Sequence, residues 1–198
     1  MISKKVQKRL ELLDKNLVKQ SDCDFHLTEK DEAGKADLHL YVNGFSVLFC
    51  NLEKKRTEYL LLKNCADYVL FKITDCKGKL YIFELKRTIS PSSWEKIKLQ
   101  FQGAMQNALA LAGLLGIEFD LEQTQLFSVY RNDKLNDFSN PVKQRLNMHE
   151  RGRKSDLKEN TDWNKNDLTF DFLDTITCIH QKIQLNIENG TGEYILNS

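Results

Sequence analysis

The stretch "KLYIFELKR", Lys79 to Arg87, decides how this chain is read. Leu80, Tyr81, Ile82, Phe83 and Leu85 form a nearly continuous apolar run, the pattern of a β-strand buried on both faces. Glu84 and Lys86 interrupt it. Side chains alternate along a strand, so these two share the face of Leu80 and Ile82 and place two ionic groups at the end of an apolar surface. Burying charge without partners is expensive. The same spacing recurs at Glu53 and Lys55, but there it falls in the hydrophilic "NLEKKRTE", where solvated charges need no explanation. A self-paired Glu–Lys ion pair at a strand end is one account of Glu84 and Lys86. A chemical site is the other.

Neighbouring sequence supplies partners for those charges. The preceding strand reads "CADYVLF" and begins with Asp67. If a turn within "DCKGK" makes an even-numbered hairpin loop, Asp67 shares a face with Glu84 and Lys86. A loop of Cys76 and Lys77 would set Asp67 opposite Lys86, with Glu84 on the diagonal. Two carboxylates at one spot repel and need a cation between them, and oxygen ligands of this kind suit Mg²⁺ or Mn²⁺. Pro91 then ends the strand, Ser92 with Glu95 reads as a capping box, and Gly113 and Gly116 close the long helix. Its apolar stripe runs through Ile97, Phe101, Ala104, Met105, Ala108, Ala112 and Leu115. Gln100 lies at the edge of that stripe and can face the sheet, whereas Gln102 and Gln106 point away.

Around this centre, Val6, Leu10, Leu13 and Leu17 predict an amphipathic helix ending near Lys19 or Gln20. After a polar link, Asn43-Gly44 predicts a type I′ hairpin between strands at about 37 to 42 and 45 to 50. "TQLFSVY" supplies one more strand. The polar stretch from Arg131 to Asp167 has the composition of a functional or mobile loop, and Asn189-Gly190 predicts a second hairpin. Helix, several strands, helix, strand is an α/β or α+β layer architecture.

At 198 residues the chain has room for one sizeable core with elaborations. The formal net charge of +1 favours no polyanion in bulk, so any such site must be local. "PVKQRLNMHERGRK" offers the best candidate, with Lys143, Arg145, Arg151, Arg153 and Lys154 against the single acid Glu150, although a solvated surface loop is the default reading of such a run. Trp94, Trp163 and Tyr130 have the chemistry to stack on bases, but buried or half-buried packing is the favoured reading for each, and no role is assigned to them. Five cysteines without a C-x-x-C pair, and four histidines scattered along the chain, predict reduced thiols, a cytoplasmic protein and no zinc-ligand spacing. No stretch reads as a signal peptide or membrane span.

Asp67, then Glu84-Leu85-Lys86 closing an apolar strand, then a long helix bearing Gln100, resembles the PD-(D/E)XK superfamily of restriction-endonuclease-like nucleases. One departure is Ala66, where the family carries proline. The likeness implies a restriction-endonuclease-like core over residues 1–130, a central mixed β-sheet flanked by helices, with residues 131–198 as a basic loop and β-rich extension on the same domain. It implies a divalent ion held by Asp67, Glu84 and the Leu85 carbonyl, with Lys86 acting on the attacking water and Gln100 positioning a ligand or the phosphate backbone. Many members add an acid from the first helix, for which Glu11 and Asp14 are the candidates. The activity implied is Mg²⁺- or Mn²⁺-dependent phosphodiester hydrolysis, in DNA more than RNA, of the kind used in bacterial restriction, repair or anti-phage defence. A homodimer or larger complex is compatible with the short chain. The competing readings are an inactive subunit of the same fold that binds nucleic acid or a partner protein, and a plain α/β domain with internal ion pairs.

Overall fold

The computed structural model describes residues 2–31, 34–54, 64–137, 162–172 and 174–196. In chain order the elements are α1 (Lys4–Leu10), β1 (Val18–Ser21), β2 (Asp24–Asp31), β3 (Gly34–Tyr41), β4 (Ser46–Cys50), β5 (Tyr68–Thr74), β6 (Lys77–Ile89), α2 (Pro91–Leu115), β7 (Gln125–Asp133), α3 (Lys134–Asp137), β8 (Asp167–Phe172), β9 (Asp174–Gln184) and β10 (Thr191–Ile195). A mixed seven-stranded sheet runs in the order β1-β4-β5-β6-β7-β9-β8, and a second sheet runs β10-β3-β2. In the large sheet β6–β7 and β7–β9 are parallel and the remaining pairs antiparallel. Parallel neighbours need a crossover, which α2 provides between β6 and β7.

Strand alternation sorts the large sheet into two cores. Val47, Phe49, Val69, Phe71, Leu80 and Ile82 point to one face and pack against Val6 and Leu10 of α1 and the buried stripe of α2. Leu48, Leu70, Tyr81, Phe83, Leu85 and Phe127 point to the other and meet Phe25, Leu27, Leu38 and Leu40 of the small sheet. Each such side chain contributes about 1.5–3 kcal/mol when fully buried, so a one-residue slip of β6, which would exchange its two faces, is strongly disfavoured. Among the described residues the helices thus cover one face only. The second sheet, which sequence reading did not anticipate, covers the other in place of flanking helices.

Several local expectations are corrected. The first helix stops at Leu10, because Asp14 Oδ1 accepts from the backbone N–H and side-chain amide of Asn16 and turns the chain toward β1. Leu13 still packs on the helix-side core. Asn43-Gly44 does turn the chain, with Gly44 at φ +106°, but β3 and β4 belong to different sheets, so no hairpin forms there. The antiparallel partner of β3 is β2, within the stretch read as a polar link. Asn189-Gly190 likewise carries the chain from β9 of the large sheet to β10 of the small one. The helix cap is Ser90 with Ser93, not Ser92 with Glu95: Ser90 Oγ accepts from Ser93 N–H, Ser93 Oγ accepts from Ser90 N–H, and Pro91 opens the helix. Glu95 pairs with Lys98 instead. The left-handed Gly116 ends α2 as expected, while Gly113 lies within it. Beyond residue 131, β8 and β9 extend the large sheet and β10 joins the small one.

The helix α2 also sets the approach to β5. A Cβ on Gly103 would stand 1.8 Å from the backbone oxygen of Asn64, so helix and chain touch there without any side chain between them. Gly103→Ala is therefore expected to lower stability by about 1–3 kcal/mol through overpacking. Gly113→Ala, which meets nothing within 4 Å, is expected to leave stability unchanged or raise it by about 0.5–1 kcal/mol through helix propensity. Urea midpoints of the two variants check this.

Candidate functional site

The site forms where the antiparallel ladder ends. The register of β5 and β6 closes with Tyr68 opposite Phe83, while β6 runs on to Ile89, paired beyond that point with β7. Where the next ladder pair would stand, side chains substitute for backbone. Asp67 N–H donates to Glu84 Oε2 at 3.1 Å, and Leu85 N–H donates to Asp67 Oδ2 at 2.8 Å. The loop between the strands is Asp75-Cys76 rather than Cys76-Lys77, since Thr74 pairs with Lys77 and Asp75 takes the left-handed conformation at φ +57°. That difference puts Asp67 across from Glu84, with Lys86 next along the same face. The shared face survives because both loops have an even number of residues.

Glu84 is fully buried and Asp67 partly so. Lys86 Nζ lies 2.5 Å from Glu84 Oε1 and 3.6 Å from Glu29 Oε1. Burial and the neighbouring charge of Asp67 push the Glu84 carboxyl up to about 8, more than Lys86 pulls it down. Burial also raises Asp67, against the opposing pull of Lys86 and the Leu85 N–H. For Lys86, burial favours loss of the proton, but the carboxylates of Glu84, Asp67 and Glu29 outweigh it, so the ammonium is held above its ordinary value. Buried Cys65, beside the same carboxylates, is pushed up to about 12 and stays a thiol, chiefly through burial.

Helix and small sheet hold the arrangement from two sides. Gln100 is buried in α2, its Nε2 donates to the Cys65 carbonyl at 3.4 Å, and its Oε1 has no hydrogen-bond partner. Asn107 Nδ2 reaches Cys65 Sγ at 3.8 Å. From the small sheet, Thr28 N–H donates to the Tyr68 hydroxyl at 2.9 Å, and that hydroxyl donates to the Thr28 carbonyl at 2.8 Å, which fixes β2 beside Lys86. Glu29 is the next residue. It shares the inward face of Phe25 and Leu27, so its signal was the one that marks Glu84: a charge closing an apolar face. Glu11 caps α1 and Asp14 forms the turn with Asn16.

Other candidates separate cleanly. Trp94 and Trp163 are buried at 4.9 Å from each other in edge contact, and Tyr130 packs on Trp163, so packing accounts for them. Packed against both tryptophans is His180, whose Nε2 shares a 2.9 Å hydrogen bond with the hydroxyl of Ser128, the β7 residue registered with Glu84. Burial, reinforced by Lys182, drives His180 down to about 3, so this imidazole is neutral. Lys143, Arg145, Arg151, Arg153 and Lys154 lie outside the described residues. The histidines are not all scattered: His26 and His39 stack on one face of the small sheet beside Asp24. Among the described residues no helix is long and apolar enough to cross a membrane. No family model, curated protein or solved structure matches this chain.

The raised Glu84 gives a stability signature. Its unfolded value is near 4.5 and its folded value about 8, so between these the folded chain holds a proton that the unfolded chain has released. The contribution is complete below about pH 4.5 and is lost as pH rises to about 8; Lys86 titrates above this window. Without divalent ions, the melting temperature is expected to fall from about pH 5 to 8.5, and Glu84→Gln to flatten that slope. Thermal melts across pH check both.

Proposed function

We propose that this chain is a divalent-metal-dependent phosphodiester hydrolase acting on nucleic acid, with a core of the restriction-endonuclease type formed by α1, β4 to β6, α2 and β7. The observation that carries the reading is the convergence of Asp67, Glu84 and Lys86 at the open end of the β5–β6 ladder. Two carboxylates that both resist ionisation beside one another form a site whose charge is incomplete. A cation satisfies it, and the unpartnered buried oxygen of Gln100 nearby supplies further polar capacity. The oxygen donors of Asp67, Glu84 and the Leu85 carbonyl fit Mg²⁺ or Mn²⁺. When bound, such an ion polarises the scissile phosphate, lowers the pKa of a nearby water and offsets charge in the transition state.

The chain's own groups divide the remaining work. Lys86 is an ammonium across the physiological range, so it acts as a donor: it orients the attacking water and stabilises charge growing on the phosphate oxygens. Glu29 anchors that ammonium from the side away from the helix. Asp67 ties its carboxylate to Leu85 N–H and so sets the orientation of the oxygen left over. Gln100 fixes the Cys65 carbonyl just upstream of Asp67 and presents its own oxygen beside it. The basic run from Lys143 to Lys154 is assigned to phosphate-backbone contact. DNA is the favoured substrate, in a restriction, repair or defence setting in the cytoplasm, which five free cysteines suit.

A cleavage assay on supercoiled, linear and single-stranded DNA and on RNA tests this. With Mg²⁺ or Mn²⁺ the wild type is expected to cut, and Asp67→Asn, Glu84→Gln and Lys86→Ala to lose about 10²–10³-fold in rate while melting cooperatively. Residual activity equal in all three variants would mark a contaminant and sink the proposal. Calorimetry gives a parallel check. Either ion at a hundred times its Kd is expected to add about 2.7 kcal/mol of stability, and Glu84→Gln to remove most of that gain. Nucleic-acid binding with no response to metal would leave an inactive subunit of the same fold.

A further inference from the structure

We infer that the outer face of the small sheet carries a site for a borderline transition-metal ion of the Zn²⁺ type, built by Asp24, His26 and His39. The strands dictate the placement. Phe25 and Leu27 of β2 and Leu38 and Leu40 of β3 are buried inward, so the alternate residues Asp24, His26 and His39 project outward. The ladder sets His26 directly across from His39, and Asp24 one diagonal step away. The two imidazoles stack with centroids 4.2 Å apart and planes 19° apart, and Tyr41 packs against His39 at 4.2 Å. Asp24 Oδ2 lies 2.7 Å from His39 Nε2. One donor atom from each of the three residues falls within 4.8 Å of the others.

A solvated His–carboxylate pair accounts for Asp24 and His39 alone. It leaves out His26, whose Nδ1 stands 3.9 Å from Asp37 Oδ1 while its ring covers His39. A carboxylate near one ring nitrogen gives His26 the kind of acidic neighbour that accompanies metal-binding histidines. Asp37 is itself held by Lys35. Four-coordinate Zn²⁺, with bonds of 2.0–2.1 Å, needs donors about 3.3–3.5 Å apart. The Asp24–His39 pair must open by roughly half an ångström, and the His26 ring must turn its donor nitrogen toward them. His26 can supply this by rotating, since its side chain is 63% exposed. Its Cα position is fixed by the ladder beneath.

Two imidazoles and one carboxylate select Zn²⁺, Co²⁺ or Ni²⁺ over Mg²⁺, the reverse of the all-oxygen set around Asp67 and Glu84. The two sites are thus separable by metal. An ion here would bridge β2 to β3 and stiffen the strand that presents Glu29 to Lys86.

The test titrates untagged, reduced full-length chain with ZnCl₂ by calorimetry and with CoCl₂ by visible absorption. One site per chain is expected, with Co²⁺ bands of a four-coordinate nitrogen–oxygen environment. His26→Ala and His39→Ala should each weaken binding by about 10–100-fold. Cys23→Ser, which removes the exposed thiol 3.1 Å from Asp24 Oδ1, and Glu84→Gln should leave it unchanged. The proposal is overturned if the His26→Ala/His39→Ala double variant binds as the wild type does, if Cys23→Ser or Glu84→Gln abolishes binding, or if thiolate-to-cobalt absorption dominates. His26 is exposed and His39 partly so, and melting curves verify that the variants fold.

Discussion

Everything at the candidate site rests on one exchange of hydrogen bonds, Asp67 N–H to a Glu84 oxygen and Leu85 N–H to an Asp67 oxygen. A strand that outruns its partner leaves backbone groups that must be satisfied or hydrated. Here two carboxylates satisfy them, so the step that completes the sheet also draws two acids to one point. The cost is electrostatic: Glu84 is buried and Asp67 partly so, desolvation raises both acids, and Lys86 offsets only part of it. Repulsion between two such acids is stronger in a low dielectric than in water.

The surrounding fold keeps the exchange from relaxing. From one side α2 presses its backbone against Asn64 at Gly103 and holds Cys65 with Gln100 and Asn107, so the entry to Asp67 has little freedom. From the other, the Tyr68 hydroxyl grips both backbone groups of Thr28 and brings Glu29 to Lys86. Helix and second sheet therefore meet at the site through opposite faces of the same two strands. Both hold the small charged cluster of Asp67, Glu84 and Lys86 in place.

Legibility differed by the range of the interaction involved. The faces of β6 and α2 followed from periodicity, because alternation and the 3.6-residue turn are local geometry and burial enforces them. Asp67, Glu84 and Lys86 fell on one face for the same reason, since any even loop preserves parity. Turn chemistry was legible too, yet only as turning: Gly44 and Gly190 are left-handed as Asn-Gly predicts, but a turn does not name the sheet in which the next strand pairs. Glu29 was missed although "DFHLTEK" alternates visibly, because its meaning depends on which residue lies across from it.

The sequence by itself determined which residues face inward, where the apolar strands and the long helix run, and that three charged side chains interrupt one apolar face. These are matters of chain stereochemistry and of the free energy of moving apolar surface out of water, both local to the segment. Only the tertiary structure decided that β2, β3 and β10 form a separate sheet, that Glu29 closes on Lys86, and that His26 and His39 stack. Those depend on contacts between segments far apart in the chain, where many pairings satisfy the same alternation and only the packing of the whole selects one.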